Sequence, residues 1–289
     1  MAYIKTTFVN GKAPAVSAEE LNKMGQGVED AHAIAETTIA SFFGSGYDGT
    51  ATISGTTTLS RDMFYDNLTV NSGAILKPNG YKIFVKNTLT NNGTISAVGN
   101  SGSPGSGATG GTGGSGGTTG GDGGQGSNSL TSVGGMDGYS GSYGGNGGLG
   151  GNANSTTGPY GTYGTASLPV SFLTNLELLK TIYDLPQCGG GGGNGGRGAP
   201  GAGGGEGGGR ILILANKVFN NGSITANGGT GGATPSGGGA GGGGGGVAVV
   251  VCSEYSGNNP TANGGTGGTG SYQNGNNGST GLARVINMF

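Results

Sequence analysis

Glycine runs that repeat with a period of three residues limit what this chain can fold into. In GGGGGNGGRGAPGAGGGEGGG (residues 189–209), every third residue from Gly189 to Gly207 is glycine, while the other positions admit residues such as Asn194 and Glu206. A period of three is typical of the polyproline-II helix, which has three residues per turn and no internal hydrogen bonds. A flexible linker has no reason to keep one column of positions free of side chains.

The same period recurs at 107–126, 228–246 and 264–270, with shifts of phase between the runs. Collagen needs an unbroken phase and abundant proline, and this chain has 9 Pro. The alternative is a bundle of polyglycine helices in which the N–H and C=O groups of one helix bond to those of its neighbours. Several separate runs in one chain favour the bundle.

Composition excludes several classes of protein. With 76 Gly in 289 residues and 31% hydrophobic residues, a large conventional core is not expected. A net charge of −2 gives no reason to bind nucleic acid, and no apolar stretch is long enough for membrane insertion. The N-terminus lacks the apolar core of a signal peptide. Cys188 and Cys252 lack metal-ligand spacing and are expected as free thiols, with a disulfide as the alternative.

An internal repeat indicates stacked strands. TANGGTGG occurs at 225–232 and again 36 residues later, and the same offset aligns ILILA (211–215) with VAVVV (247–251). A third copy starts at Ala283, and an earlier one lies at 82–99. A single unit could not bury its apolar face alone, but a stack of units could.

These patterns predict a mainly β or irregular fold with a short N-terminal α-helix, stacked β-strand rungs and a bundle of polyglycine helices. The expected domains are an N-terminal helical segment for attachment and oligomerisation, a β-strand repeat domain, and a glycine-rich repeat domain with an insertion at about 127–188. They span 1–46, 47–98 and 99–289. Within the insertion, a capping box before an apolar pattern predicts a short helix at about 175–184.

Residues 17–43 carry an apolar seam with strict three-four spacing, which predicts a helix. A seam of this kind packs either against copies of itself or within one chain, and the residue pattern leaves both open. The candidate oligomerisation residues are Leu21, Met24, Val28, Ala31 and Ala35.

The stretch VNGKAPAVSAEELNKMGQGVEDAHA resembles the opening of many bacteriophage tail-fibre and baseplate appendage proteins. Gly25 departs from the family pattern, which usually has Glu at that position. The glycine-rich remainder is similar in texture to phage tail-tip adhesins with polyglycine-helix bundles. The matching positions are Asn10, Gly11, Pro14, Ala18, Leu21, Asn22, Gln26, Gly27, Asp30 and Ala31.

The resemblance implies a fibrous homotrimer that is made in the host cytoplasm and becomes part of the virion. Its N-terminus would attach to other virion proteins, and its distal end would contact carbohydrate or protein on the host surface. The expected function is that of a tail fibre or receptor-binding adhesin. A structural head fibre or capsid decoration protein is the alternative, and an ice-binding polyglycine bundle is a further one.

No catalytic constellation is found in the sequence. His32 is the single histidine, so neither a His-based triad nor a multi-His metal site can be assembled. The carboxylates share no motif, and no glycine run has the strand before it and helix after it that a phosphate-binding loop needs. The chain is therefore expected to be no enzyme and to use no cofactor or metal.

Receptor contacts are expected where bulky residues cluster among small ones. Tyrosine offers a rigid, amphipathic contact, and asparagine can both donate to and accept from sugar hydroxyls. The alternative is that the tyrosines cap the end of the bundle. The candidate receptor-binding residues are Tyr139, Tyr143, Tyr160, Tyr163, Tyr272 and Asn274.

Overall fold

The computed structural model of the chain describes residues 18–105, 112, 202–235 and 237–288. They form one α-helix, α1 (Ala18–Phe42), and eleven β-strands. The predicted helix at 175–184 and the insertion lie outside the described residues. The strands are β1 (Ala51–Ile53), β2 (Thr56–Thr58), β3 (Met63–Tyr65), β4 (Leu68–Val70), β5 (Ile75–Lys77), β6 (Lys82–Asn91), β7 (Thr94–Ser96), β8 (Arg210–Asn220), β9 (Ser223–Thr225), β10 (Val247–Gly257) and β11 (Leu282–Asn287).

The strands form two sheets, and the prediction of a mainly β fold is confirmed. The large sheet has seven strands in the order β1-β4-β6-β8-β10-β11, with β3 also paired to β6, and the small sheet has the order β2-β5-β7-β9. Every strand pair that the described residues form within these sheets is parallel. Because the chain alternates between the sheets and adds one rung at each pass, the topology is that of a parallel β-solenoid.

The large sheet is apolar on both faces. One face packs against the small sheet and forms a core that includes Leu89, Ile213 and Ile224. The other face carries a second cluster with Leu212 and Val249 at its centre. Parallel strands that are buried on both faces read as continuous apolar runs, which accounts for ILILA and VAVVV.

The strand register differs from the sequence repeat by one residue. The repeat aligns Ile211 with Val247, whereas the structure pairs Ile211 with Ala248. Strand β11 likewise begins at Leu282, opposite Val247, and not at Ala283. A shift of one residue turns each side chain of a strand to the opposite face of the sheet. Because both faces of these strands are apolar, the hydrophobic pattern of the sequence does not reveal which register the strands adopt.

Buried asparagines hold the corner between the two sheets. Asn91 ends β6 and pairs with Asn220 at the end of β8, and both are fully buried. The Nδ2 of Asn91 donates to the Oδ1 of Asn220 at 2.7 Å. Two residues further on, a Cβ atom on Gly222 would lie 2.0 Å from the carbonyl oxygen of Gly93. The Asn-Asn-Gly sequences at 91–93 and 220–222 stack on each other. The stack requires the side-chain hydrogen bond between Asn91 and Asn220, and it requires glycine at position 222 because no Cβ atom fits there.

Six glycine-rich segments extend the solenoid beyond its strands. Apart from isolated bridges such as the one between Thr225 and Thr261 at their margins, these segments have no strand or helix of their own. Three of them, here called the outgoing segments, follow β7, β9 and the isolated bridge at Thr261, at 97–105, 226–234 and 262–270. The other three, the returning segments, lead into β8, β10 and β11, at 202–209, 239–246 and 273–281.

Hydrogen bonds join these segments with a period of three. In the middle outgoing segment, Gly228 N donates to Asn263 O of the next outgoing segment at 2.9 Å. Gly229 N donates to Glu206 O of a returning segment at 2.7 Å, and the side chain of Thr230 is exposed. The pattern repeats at 231–233. One residue in three therefore bonds within the outgoing layer, one bonds to the returning layer, and one faces outward.

Close approach of neighbouring backbones is what requires glycine here. A Cβ atom would lie 1.8 Å from Glu206 O if placed on Gly243, and 2.1 Å from Gly229 O if placed on Gly205. Among the described glycines, a positive φ occurs at six positions, all outside these segments. The backbone conformation would therefore accept other residues, whereas the spacing between segments would not.

We expect Gly243→Ala to lower the free energy of unfolding by about 1–3 kcal/mol or more, because the added methyl must push two backbones apart. The matched control is Gly55→Ala, since a Cβ atom there meets nothing within 4 Å and its φ is not positive. Chemical denaturation of both variants measures the difference. Equal stability of the two variants would contradict the close-packed arrangement.

Candidate binding surface

The outgoing segments and the small sheet share one solvent-facing surface, here called the outgoing face. In each outgoing segment, the outward column consists of every third residue, beginning at Val98, Asn227 and Asn263. Seven of these nine residues are exposed, and Asn227 and Ala233 are half-buried. The nine are Val98, Ser101 and Pro104; Asn227, Thr230 and Ala233; and Asn263, Thr266 and Thr269.

The outward columns continue the outer side of the small sheet. Ile95 and Ile224 are buried between the sheets, so their strand neighbours face outward. Thr94 pairs with Ser223 in parallel register, and Thr225 bridges to Thr261. Across the last three rungs the outgoing face therefore presents mostly hydroxyl and amide side chains. It is interrupted by Val98, Pro104 and Ala233 and by Thr225, whose hydroxyl is buried.

Hydrogen bonds between neighbouring rungs order several of these side chains. Thr230 Oγ1 donates to Ser101 Oγ at 2.7 Å, and Ser223 Oγ donates to Thr94 Oγ1 at 3.2 Å. A hydroxyl can donate one hydrogen bond and accept two. Each of these groups therefore keeps unused capacity toward solvent while its rotamer is already restricted.

The last three rungs of the outgoing face carry no charged side chain, whereas the exposed Lys77 lies on β5 of the small sheet, one strand before β7. Residues 92–105, 221–234 and 258–281 contain no Asp, Glu, Lys or Arg. Charges lie elsewhere in the described chain, for example near β3, where Asp48 accepts a hydrogen bond from Phe64 N at 2.7 Å. The side-chain hydrogen bond from Arg61, together with that from Phe64 N, lowers the pKa of Asp48. The ion pair between Asp48 and Arg61 belongs to the first rungs and lies outside the segments that form the outgoing face.

The predicted receptor-binding residues are only partly placed. Tyr139, Tyr143, Tyr160 and Tyr163 lie outside the described residues. The side chain of Tyr272 is 62% exposed, at the turn between the last outgoing and the last returning segment. Its exposure is compatible with a contact residue, and its binding role stays a prediction.

Asn274 has a structural hydrogen bond. Its Oδ1 accepts from Gly270 N at 3.1 Å, and Asn277 Oδ1 accepts from Gly267 N at 2.9 Å. In the middle outgoing segment, the equivalent N–H groups donate to main-chain carbonyls of the next segment. The two asparagine side chains replace those carbonyls at the last outgoing segment, and so complete its hydrogen bonding.

The seam of α1 is exposed to solvent. The exposed fractions are 58% for Leu21, 51% for Met24 and 70% for Val28, and Ala31 is also exposed. The side chain of Ala35 lies outside the described side chains. Helix α1 leads into Phe43, which is fully buried on the outer face of the large sheet.

The described residues include one buried thiol with a strongly shifted pKa. Burial raises the pKa of the Cys252 thiol to about 11, so it stays protonated and unreactive at neutral pH. Cys252 is a buried free cysteine. Within the described ranges, no group of three or more His, Cys, Asp or Glu side chains could hold a metal ion. No helix in these ranges has the length and hydropathy to span a bilayer.

Comparisons with protein-family models, curated proteins and solved structures found no match to this chain. The sequence reasoning also missed the outgoing face. The sequence TANGGTGG at 225–232 and 261–268 already contained the pattern of this face. In both copies Asn and Thr stand three residues apart, with two glycines between them. Only the arrangement of segments identifies their column as the solvent-facing one.

We expect Asn274→Ala to lower the free energy of unfolding by about 0.5–1.5 kcal/mol, because Gly270 N loses its acceptor. Asn276→Ala is the matched control, since Asn276 is exposed and lies on the same segment. Thermal and chemical unfolding of both variants give the comparison. If Asn274→Ala impairs host-cell binding at unchanged stability, the side chain contacts the receptor and the structural role is wrong.

Proposed function

We propose that this chain is a bacteriophage virion protein, a tail fibre or receptor-binding adhesin that contacts the host cell surface. The observation that carries the proposal is the N-terminal motif at 10–31, with its exposed helical seam, joined to a β-solenoid whose last three rungs offer an uncharged polar surface. An attachment element at one end and a regular surface beyond it are the parts that an adhesin needs. The role is one of binding and not of catalysis.

We infer that the glycine-rich segments are polyglycine helices of the polyproline-II type. The period-three hydrogen bonds between segments support this interpretation, because a helix with three residues per turn presents the same side to a neighbour at every third residue. The predicted runs at 107–126 and 189–201 lie outside the described residues, apart from residue 112. A bundle of this kind is rigid without a large side-chain core.

The exposed seam of α1 supports a homotrimer. Leu21, Met24 and Val28 lie on one side of a helix whose described side chains are all exposed at 21–31. An apolar stripe of this type is unfavourable in water and becomes buried when copies of the helix pack together. The helices of three chains would form the attachment end of the fibre.

We expect the full-length protein to be trimeric by light scattering, and Val28→Asp to shift it toward monomer because the charge would be buried in the seam. The control is Glu29→Lys, which changes charge on the same helix outside the seam. The fold of the solenoid should persist in both variants. A wild-type protein that is monomeric at high concentration would rule out the trimer.

Localisation tests the proposed function itself. Antibodies against the solenoid should label the tails of particles that carry this chain, and purified protein should compete with those particles for adsorption to host cells. Deletion of residues 1–41, which leaves the buried Phe43 in place, should abolish incorporation into the particle. Labelling confined to the capsid would favour a head fibre or decoration protein, and absence from particles would refute a virion role.

A further inference from the structure

We propose that the outgoing face binds a neutral polysaccharide. The inference rests on the proposed function as an adhesin and assigns the site and the ligand class. It places recognition on the side of the solenoid, at the outward columns of the outgoing segments. The tyrosine cluster at 139–163 is not needed for it.

The face repeats in two directions. Along one outgoing segment, outward residues such as Thr266 and Thr269 recur every third residue, or at about 9 Å for a helix rising 3.1 Å per residue. Across the segments and strands, equivalent residues such as Ser101, Thr230 and Thr266 follow one another at roughly the 4.8 Å spacing of neighbouring strands. A polymer with a regular repeat of hydroxyl groups would meet the same set of partners several times. Several weak contacts would then act together.

The chemistry of the face suits sugar hydroxyls. Hydroxyl and amide groups both donate and accept hydrogen bonds, as sugar hydroxyls do. Val98, which is 45% exposed, and the exposed Pro104, two positions further along the same column, each offer apolar surface for the C–H groups of a sugar ring. The hydrogen bond from Thr230 to Ser101 orders these hydroxyls before binding, which lowers the entropy lost on binding.

The absence of charge selects among ligands. The segments 92–105, 221–234 and 258–281 contain no Asp, Glu, Lys or Arg, so their outward columns offer no charge that attracts phosphate, sulfate or carboxylate groups. The exposed Lys77 lies on β5, in the earlier part of the small sheet and outside these columns. A protein partner is less suitable, because energetically dominant interface residues are typically Trp, Tyr and Arg in a buried centre. The rows also mix hydroxyl, amide and apolar side chains, which favours a glycan over the uniform lattice of ice.

Binding of the full-length protein to immobilised dextran, mannan and galactan tests the proposal, with heparin and hyaluronan as polyanionic comparisons. We expect binding to at least one neutral polymer and no loss of it between 0.1 and 1 M NaCl. The double variant Thr266→Val and Thr269→Val keeps the side-chain shape and removes two exposed hydroxyls. It should weaken binding about tenfold at unchanged melting temperature.

The matched control is Thr52→Val, an exposed threonine on β1 of the other sheet, which should bind as wild type. A second variant, Thr266→Arg, places bulk and charge on the face and should abolish binding, so the test survives if the double variant is unstable. Three results would overturn the proposal: no binding to any neutral polymer, binding to polyanions alone, or equal affinity in all variants. Thermal hysteresis without polysaccharide binding would assign the face to ice.

The two proposals can fail separately. Tail labelling with no polysaccharide binding would leave the adhesin proposal standing and refute this site. Polysaccharide binding by a chain that is absent from virions would support this site and refute the virion proposal.

Discussion

The structure depends on backbones that approach each other too closely for a Cβ atom. At Gly205 and Gly243 the nearest carbonyl oxygen of a neighbouring segment occupies the space that a side chain would need. Close approach lets N–H and C=O groups bond directly between segments, which satisfies them without a regular sheet. Glycine loses much conformational freedom on folding, so such segments need these interlocking hydrogen bonds to stay ordered.

The solenoid and the glycine-rich layers support each other. The middle of the last three rungs, for example, crosses the small sheet as β9, leaves through the outgoing segment at 226–234, returns through the segment at 239–246 and enters the large sheet as β10. The apolar strands supply hydrophobic burial that glycine cannot, while the asparagine pair at Asn91 and Asn220 closes the corner between sheets. Side chains do not fit between the glycine-rich layers, so in the outgoing segments they lie in the outward columns, where they contact solvent.

Much of the architecture could be predicted from local pattern. The seam at Leu21 and Met24 indicated a helix, and α1 is present as Ala18–Phe42. The apolar runs ILILA and VAVVV indicated strands, and both lie in parallel strands of the large sheet. The candidate site was less accessible, because a receptor role was assigned to Asn274 from residue type, whereas its side chain accepts a hydrogen bond from Gly270 N.

The sequence by itself determined the period of three, the repeating rung and the position of the strands, because each follows from spacing along the chain. Only the tertiary structure decided the pairing of Ile211 with Ala248, since both faces of these strands are apolar and hydrophobic pattern does not distinguish a shift of one residue. It also decided which column faces water. Thr230 and Thr266 form one surface because segments distant in sequence lie side by side, and that adjacency is set by hydrogen bonds between backbones.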